Sequence, residues 1–158
     1  MTIAEAAATG TRRPIARILL ATDLSAASAG AADEALDLAS RLGASLLAVS
    51  VIDPGQLRMP GGHFGQRVDQ VRAERERIAQ ALVARGRRLG IRVDFLIWEG
   101  EPGESIVAAA EAEHADLIVV GSHGRGAVGR FLIGSVSDHV VRNAPCPVLV
   151  VRSTISRD

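Results

Sequence analysis

Short apolar runs, separated by polar or glycine-rich segments, divide the chain into alternating strands and helices. Most of the runs are nearly continuous, which is typical of strands covered by helices on both faces. The predicted strands are Ile15–Ala21, Ala44–Ile52, Ile91–Trp98, Asp116–Val120 and Val148–Arg152. The second is expected in the centre of a sheet, and the third, which begins with strict apolar and polar alternation, nearer an edge.

Helical periodicity fills the segments between these strands. In the first helix, Ala26–Leu42, the apolar positions share one face, Asp23 and Ser25 are suitable N-cap residues, and Gly43 is placed to end the helix. The second helix has an inward face marked by Val71, Ile78, Leu82 and Leu89 and a charged face predicted to be solvated at Arg72, Glu76, Arg77 and Arg87. The third and fourth helices are predicted at Glu104–His114 and Val136–Asn143.

Five strands that alternate with four helices predict an α/β fold. By the right-handed crossover rule this is a three-layer, doubly wound parallel sheet. The segment Asp53–Gly65, which is rich in glycine and proline, is predicted as a long loop before the second helix. Loops of this length are usually functional or disordered, and both interpretations stay open.

Length, charge and cysteine content narrow the class of protein. The chain of 158 residues suits a single domain, expected at 14–158, after a mobile tail at 1–13. Its 18 basic and 18 acidic residues cancel, so we expect no nucleic-acid partner. The one cysteine, Cys146, excludes an internal disulfide and favours a cytoplasmic location. No apolar run approaches the ~20 residues of a membrane span, and no signal peptide is evident, so no membrane association is expected.

The segment Gly121–Ser135 has the composition of a phosphate-binding loop. It lies between the fourth strand and the fourth helix, where unpaired N–H groups and the helix dipole favour an anion. Its glycines and serine follow the pattern G-x2-G-x9-G-[ST], with Gly121, Gly124, Gly134 and Ser135. From composition alone, Gly121 also suits an ordinary strand-end turn and Ser135 an ordinary helix cap.

This spacing resembles the nucleotide-binding signature of the universal stress protein family. The segments Ala21–Ser25, Val49–Asp53 and Pro145–Arg152 also resemble family segments, and the similarity extends from Pro14 to Arg152. The resemblance implies a Rossmann-like fold of the adenine nucleotide alpha hydrolase type, with strand order 3-2-1-4-5. It also implies that ATP, or another adenine nucleotide, binds across the switch point between strands one and four. Because all three glycines and the serine are present, the ATP-binding subclass is favoured.

The resemblance assigns nucleotide-binding roles to individual positions. The implied ligand-binding residues are Ala21, Thr22, Asp23, Val51, Gly121, His123, Gly124, Arg125, Gly134, Ser135, Val136 and Ser137. Asp23 is expected to act through Mg²⁺ or a ribose hydroxyl, because a carboxylate repels a bare triphosphate, and its alternative role is a helix N-cap. Val51 would meet the adenine edge through its backbone, or serve only the core. His123 and Arg125 either contact phosphate or are solvated.

Three functions remain open at this point. The first is a nucleotide-dependent stress-response or regulatory module with little or no turnover, since the chain lacks the lysine of a GxxxxGK[ST] loop. The second is a nucleotide-dependent hydrolase that uses Asp23 and His123. The third is a dimerisation module without nucleotide. The resemblance implies a homodimer formed through the C-terminal strand at 147–152, which would otherwise leave an unpaired edge.

Overall fold

The computed structural model of the protein describes residues 12–122 and 133–152. The strands are β1 (Arg17–Ala21), β2 (Ser45–Ile52), β3 (Val93–Glu99), β4 (Leu117–Gly121) and β5 (Val148–Val151). The helices are α1 (Ala29–Leu42), α2 (Phe64–Arg88), α3 (Pro102–Ala112) and α4 (Ser135–Asn143). Short 3-10 turns precede α1, at Ala26–Ser28, and follow β2, at Pro54–Leu57. Most of the tail expected at 1–13 lies outside the described residues.

The five strands form one parallel sheet in the order β3-β2-β1-β4-β5. This confirms the doubly wound α/β fold and the strand order that the family resemblance implied. The second strand lies inside the sheet and the third at its edge, as their apolar patterns predicted. The chain winds from β1 through β2 to β3 on one side and through β4 to β5 on the other, so the switch point lies between β1 and β4.

Helices cover both faces of the sheet, which explains the apolar runs. On one face, Ile18, Leu20 and Val119 pack with Leu36 of α1 and Leu82 of α2. On the other face lies a second core of strand residues with α3 and α4: Leu19, Val49, Ile118, Ile106 and Val140. Alternate residues of one strand therefore belong to different cores. Among the described residues, no helix is both long and apolar enough to cross a membrane.

Several element boundaries differ from the predictions. The first α-helix begins at Ala29 after a 3-10 turn, and its N-cap is Ser28 rather than Asp23 or Ser25. Helix α2 begins at Phe64, so the loop predicted up to Gly65 is shorter and contains a 3-10 turn.

Helix α3 also begins earlier than predicted. The Glu101 carboxylate accepts hydrogen bonds from the N–H groups of Gly103 and Glu104 at 3.1 and 2.6 Å, and Pro102 occupies the first turn. A side-chain cap followed by proline is a stable helix start. The prediction was wrong because an N-cap glutamate is less common than serine, threonine, aspartate or asparagine. At the end of α1, Gly43 has φ +65 and forms the expected left-handed cap.

Candidate functional site

A cleft of about 250 Å³ opens at the carboxyl ends of β1, β2 and β4. The lining residues are Ala21, Thr22, Asp23, Ser28, Val49, Val51, Asp53, Gln56, Arg75, Pro102, Ile106, Val120, Gly121, Gly134, Ser135, Val136 and Ser137. Every predicted ligand-binding residue that the structure describes is among them. The predictions for His123, Gly124 and Arg125 lie outside the described residues. The cleft occupies the position at which open α/β sheets bind their ligands.

The turn after β1 forms the floor of the cleft. The Thr22 N–H still donates to the Val49 carbonyl at 3.0 Å, which is the last ladder bond between β1 and β2. Beyond it, the Leu24 N–H donates to the Thr22 hydroxyl oxygen at 3.0 Å, and Leu24 has φ +59. This left-handed residue turns the chain away from the sheet. The hydroxyls of Thr22 and Ser28 lie 2.8 Å apart in a hydrogen bond that attaches the turn to the 3-10 segment before α1.

Asp23 projects its carboxylate at the edge of this floor. Its Oδ1 atom accepts hydrogen bonds from the Ser25 N–H at 2.9 Å and from the Ser25 hydroxyl at 2.6 Å. This is an Asx turn rather than a helix cap, because the N-cap positions of the 3-10 turn and of α1 are occupied by Ser25 and Ser28. The two bonds restrain the carboxylate at the mouth of the cleft, where a cation or hydroxyl of a ligand could meet it.

The opposite wall is the N-terminus of α4. Gly134 is the N-cap residue, and its N–H donates to the Ser122 carbonyl at 2.8 Å. The first N–H group bonded within the helix is that of Asp138, which donates to the Gly134 carbonyl at 2.9 Å. The N–H groups of Ser135, Val136 and Ser137 precede that bond, and in an α-helix such groups have no acceptor in the helix itself. Since these residues line the cleft, its wall presents donors and the positive end of a helix dipole.

The two serines in the first turn of α4 have different surroundings. Ser137 is buried, and its hydroxyl donates to the Gly121 carbonyl at 2.6 Å. It therefore attaches the helix to the end of β4. Ser135 is exposed and is the first helical residue, not the cap residue. Its hydroxyl is thus accessible to a ligand in the cleft.

The end of the cleft beside β2 contains residues that sequence reasoning missed. Arg75 of α2 lines this end together with Asp53 and Gln56. The Asp53 carboxylate caps the 3-10 turn by accepting from the Gly55 N–H at 2.9 Å. Arg75 follows Val71 by four residues, so its position on the inward face was visible in the helical periodicity.

Arg72, predicted on the solvated face of the same helix, is also engaged. Its guanidinium donates to the Ile97 carbonyl at 3.1 Å and to the Glu99 carboxylate at 2.6 Å. The side chain is only 34% exposed, so its assignment to solvent was wrong. The aliphatic stem and planar head of arginine allow it to cover a strand edge while it satisfies a backbone carbonyl.

A second hollow, of about 260 Å³, lies near the amino ends of the strands. It contains none of the predicted ligand-binding residues. Its two basic residues are both paired with acidic residues. Arg17 Nη1 lies 2.8 Å from the Glu113 carbonyl and 3.6 Å from its carboxylate, and Arg92 Nε lies 3.0 Å from the Asp94 carboxylate. None of its lining residues within the described part of the chain belongs to the first turn of a helix, and Glu113 is the C-cap residue of α3. The cleft at the carboxyl ends is therefore the better candidate.

Comparison with known proteins gives a consistent result. The sequence profile of the universal stress protein family matches residues 14–152. A universal stress protein of Thermus aquaticus is 42% identical over 137 residues, which cover 85% of this chain and 97% of the relative. The structure of the universal stress protein UspA from Lactobacillus plantarum has a TM-score of 0.74 at 29% identity and matches 89% of this chain and 100% of its own.

A universal stress protein solved in complex with cAMP is also similar. Its TM-score is 0.68 at 25% identity, and the match covers 90% of this chain and 100% of that structure. Both solved structures share the fold over most of this chain. The chain belongs to the universal stress protein family.

Proposed function

We propose that this protein binds ATP, or another adenine nucleotide, in the cleft at the switch point. The main support is the N-terminus of α4, whose first-turn N–H groups open into a cleft formed by strand ends. A family member that binds cAMP adds to this support. The proposal includes the ATP-binding subclass of the family and a regulatory role in stress, in which the nucleotide changes conformation or assembly.

The cleft suggests a single direction for the nucleotide. The phosphates lie against Ser135, Val136 and Ser137, where the donors are concentrated. Gly121, at the end of β4, has no side chain to hold the ribose away. The base then lies towards β2 and Val51, on the far side of β1. Neighbouring strands are about 4.8 Å apart, so the two ends of the cleft are separated by roughly 10 Å.

The remaining assignments are part of the same proposal. Ala21 and Thr22 form the floor beneath the ribose. Asp23 either acts on Mg²⁺ indirectly, through phosphate or water, or binds a ribose hydroxyl. Among the described residues, no group of three His, Cys, Asp or Glu side chains is placed to hold a metal ion, so the proposed Mg²⁺ would depend largely on phosphate oxygens. His123, Gly124 and Arg125 are proposed to contact the phosphates from the connection between β4 and α4.

A charge introduced at Ser135 tests the proposal without disturbing the fold. A glutamate at the first position of a helix interacts favourably with the positive end of the helix dipole, so Ser135→Glu should preserve or raise thermal stability. The same carboxylate would repel phosphate, so ATP affinity measured by calorimetry should fall at least about tenfold. Ser135→Gln has the same size without the charge and should lose less than about threefold. Unchanged affinity in Ser135→Glu would contradict the placement of the phosphates.

Slow or absent turnover is proposed because the cleft contains donors for phosphate but no lysine of the GxxxxGK[ST] type. Steady release of ADP from Mg-ATP above about 1 per second would instead favour a hydrolase that uses Asp23 and His123. If Asp23→Asn abolished that turnover and retained affinity, the hydrolase would be established.

A homodimer is proposed through the strand at 147–152. In the sheet of the described residues, β5 pairs with β4 alone and forms an edge, and its four residues are partly exposed. An unpaired parallel edge of this kind exposes backbone donors and acceptors that a second copy would satisfy. A monomeric mass by light scattering at tens of micromolar would contradict it. The cytoplasmic location expected from the single cysteine belongs to this proposal as well.

A further inference from the structure

Arg75 reaches from α2 to the end of β2 and lies in the wall of the cleft. Its Nη1 group donates to the Ser50 hydroxyl at 2.9 Å and to the Val51 carbonyl at 2.7 Å. Ser50 is almost fully buried, so one anchor of the guanidinium lies in the core. The other anchor, the Val51 carbonyl, belongs to a residue that lines the cleft.

The Val51 carbonyl is turned towards the cleft because β1 ends early. Successive carbonyls of a strand point to opposite neighbours, and the Ile52 carbonyl accepts from Gly100 on the β3 side. The Val49 carbonyl accepts from Thr22 on the β1 side, so the Val51 carbonyl also points to the β1 side. Continuation of β1 would bring the Leu24 N–H to this carbonyl, but that N–H is bonded to the Thr22 hydroxyl. Arg75 supplies a donor where the ladder stops.

We propose that Arg75 determines whether a hydrogen-bond donor or a hydrogen-bond acceptor of a ligand is favoured beside Val51. The inference rests on the proposed function, in which α4 binds the phosphates and the base lies at the opposite end. A carbonyl oxygen has two lone pairs, and the charge-assisted bond from Arg75 takes one of them. A ligand amino group must then compete with Arg75 for the Val51 carbonyl. Its N–H groups, which carry partial positive charge, must also approach the positively charged guanidinium. A ligand carbonyl is instead attracted to the guanidinium.

Purine nucleotides provide a direct comparison of these two edges. Adenine has an amino group at position 6, which is a donor, whereas hypoxanthine has a carbonyl there, which is an acceptor. Arg75 therefore reduces the advantage of ATP over inosine triphosphate at this site. The cleft is accordingly less selective for adenine than the same backbone would be without the arginine.

Arg72 offers a matched control on the same helix. It too donates to a backbone carbonyl of an adjacent strand, that of Ile97, at 3.1 Å. It does not line the cleft, and its second partner is Glu99 on the edge strand. Replacement of either arginine by methionine removes one positive charge and one arginine–carbonyl contact, but only Arg75→Met changes the cleft.

The experiment measures the dissociation constants of ATP and inosine triphosphate by calorimetry for the wild type, Arg75→Met and Arg72→Met. Both ligands have the same triphosphate, so any effect of charge on phosphate binding cancels in the ratio of the two constants. Arg75→Met should shift this ratio about tenfold in favour of ATP, the size expected for one hydrogen bond to a charged group. Arg72→Met should leave the ratio within about twofold of the wild type.

An unchanged ratio in folded Arg75→Met, with both nucleotides bound, would overturn this inference and leave the proposed function intact. A wild type that binds neither nucleotide would contradict the proposed function and this inference with it. If a thermal scan shows that Arg75→Met does not fold, Arg75→Gln replaces it. Its side chain is two atoms shorter and does not reach the Val51 carbonyl, so the same shift in ratio is expected and its absence is equally decisive.

Discussion

The Ser137 hydroxyl donates a 2.6 Å hydrogen bond to the main-chain carbonyl of Gly121. The bond joins the first turn of α4 to the last residue of β4 and sets the distance between the proposed phosphate end of the cleft and the sheet. The Gly134 N–H, bonded to the Ser122 carbonyl at 2.8 Å, supports the same junction. The position of the helix N-terminus therefore depends on two adjacent contacts rather than on packing alone.

Ser137→Ala should weaken both stability and binding. Ser137 is only 3% exposed, and the substitution removes its hydrogen bond to the Gly121 carbonyl at this partly buried junction. We expect a loss of about 1–2 kcal/mol in the free energy of unfolding by chemical denaturation. The affinity for ATP should fall as well, because the helix end is no longer held at the sheet. Wild-type stability in this variant would show that the bond contributes nothing to the junction.

Gly103→Ala should disturb the contact between α3 and α4. A methyl group at Gly103 would lie 2.8 Å from the His139 ring and 3.0 Å from its Cβ, closer than real contacts allow. We expect the free energy of unfolding to fall by about 1–3 kcal/mol. Gly30→Ala is the control, because nothing lies within 4 Å of its added methyl and alanine favours a helix by up to about 1 kcal/mol. Equal stability of the two variants would be inconsistent with the packing.

The order of strands and helices was easier to predict from the sequence than the exact ends of the helices. Burial on both faces makes strands visible as apolar runs, so the element order was predicted. The loop was predicted to extend past the observed start of α2 at Phe64. The residues that follow Phe64 are mostly polar, and Val68 alone continues the inward apolar face of the helix there.

Residues that line the cleft were anticipated where the family resemblance supplied a motif and missed where it did not. Arg75 lies on the inward stripe, yet its charge is typical of a solvated position, and only the structure shows the Val51 carbonyl that it meets. Asp53 and Gln56 were placed in an uninterpreted loop. A local motif marks one end of the cleft, whereas the opposite end is assembled from segments far apart in sequence.

Asp23→Asn distinguishes a metal role from a ribose role. Asparagine retains an Oδ1 atom to accept the two bonds from Ser25, so the turn should persist. If Asp23 acts through Mg²⁺, the variant should bind Mg-ATP about fivefold more weakly. It should bind metal-free ATP more tightly, because a repulsion of about 1 kcal/mol between the carboxylate and the phosphates is removed. Calorimetry with Mg²⁺ and with EDTA gives both values. Equal losses under the two conditions would contradict the metal role and favour the ribose hydroxyl.

The Cys146 thiol should react slowly with alkylating agents. Burial raises the pKa of this thiol, and the nearby Asp116 carboxylate raises it further, although a hydrogen bond from the Ile118 backbone acts in the opposite direction. A raised pKa means less thiolate at any pH below it, and the thiolate is the reactive form. The rate of reaction with iodoacetamide is measured between pH 7 and 10. The midpoint of its rise with pH should be higher in the folded protein than in urea. A midpoint at or below that of the unfolded chain would contradict this prediction.

The most direct test of the central proposal is a map of backbone amide shifts by NMR during titration with Mg-ATP. We expect the largest changes at Ser135, Val136 and Ser137, with further changes at Thr22 and Val51, while Arg17 and Arg92 at the opposite hollow stay unchanged. Saturable changes confined to Arg17 and Arg92, or no changes at millimolar nucleotide, would contradict it.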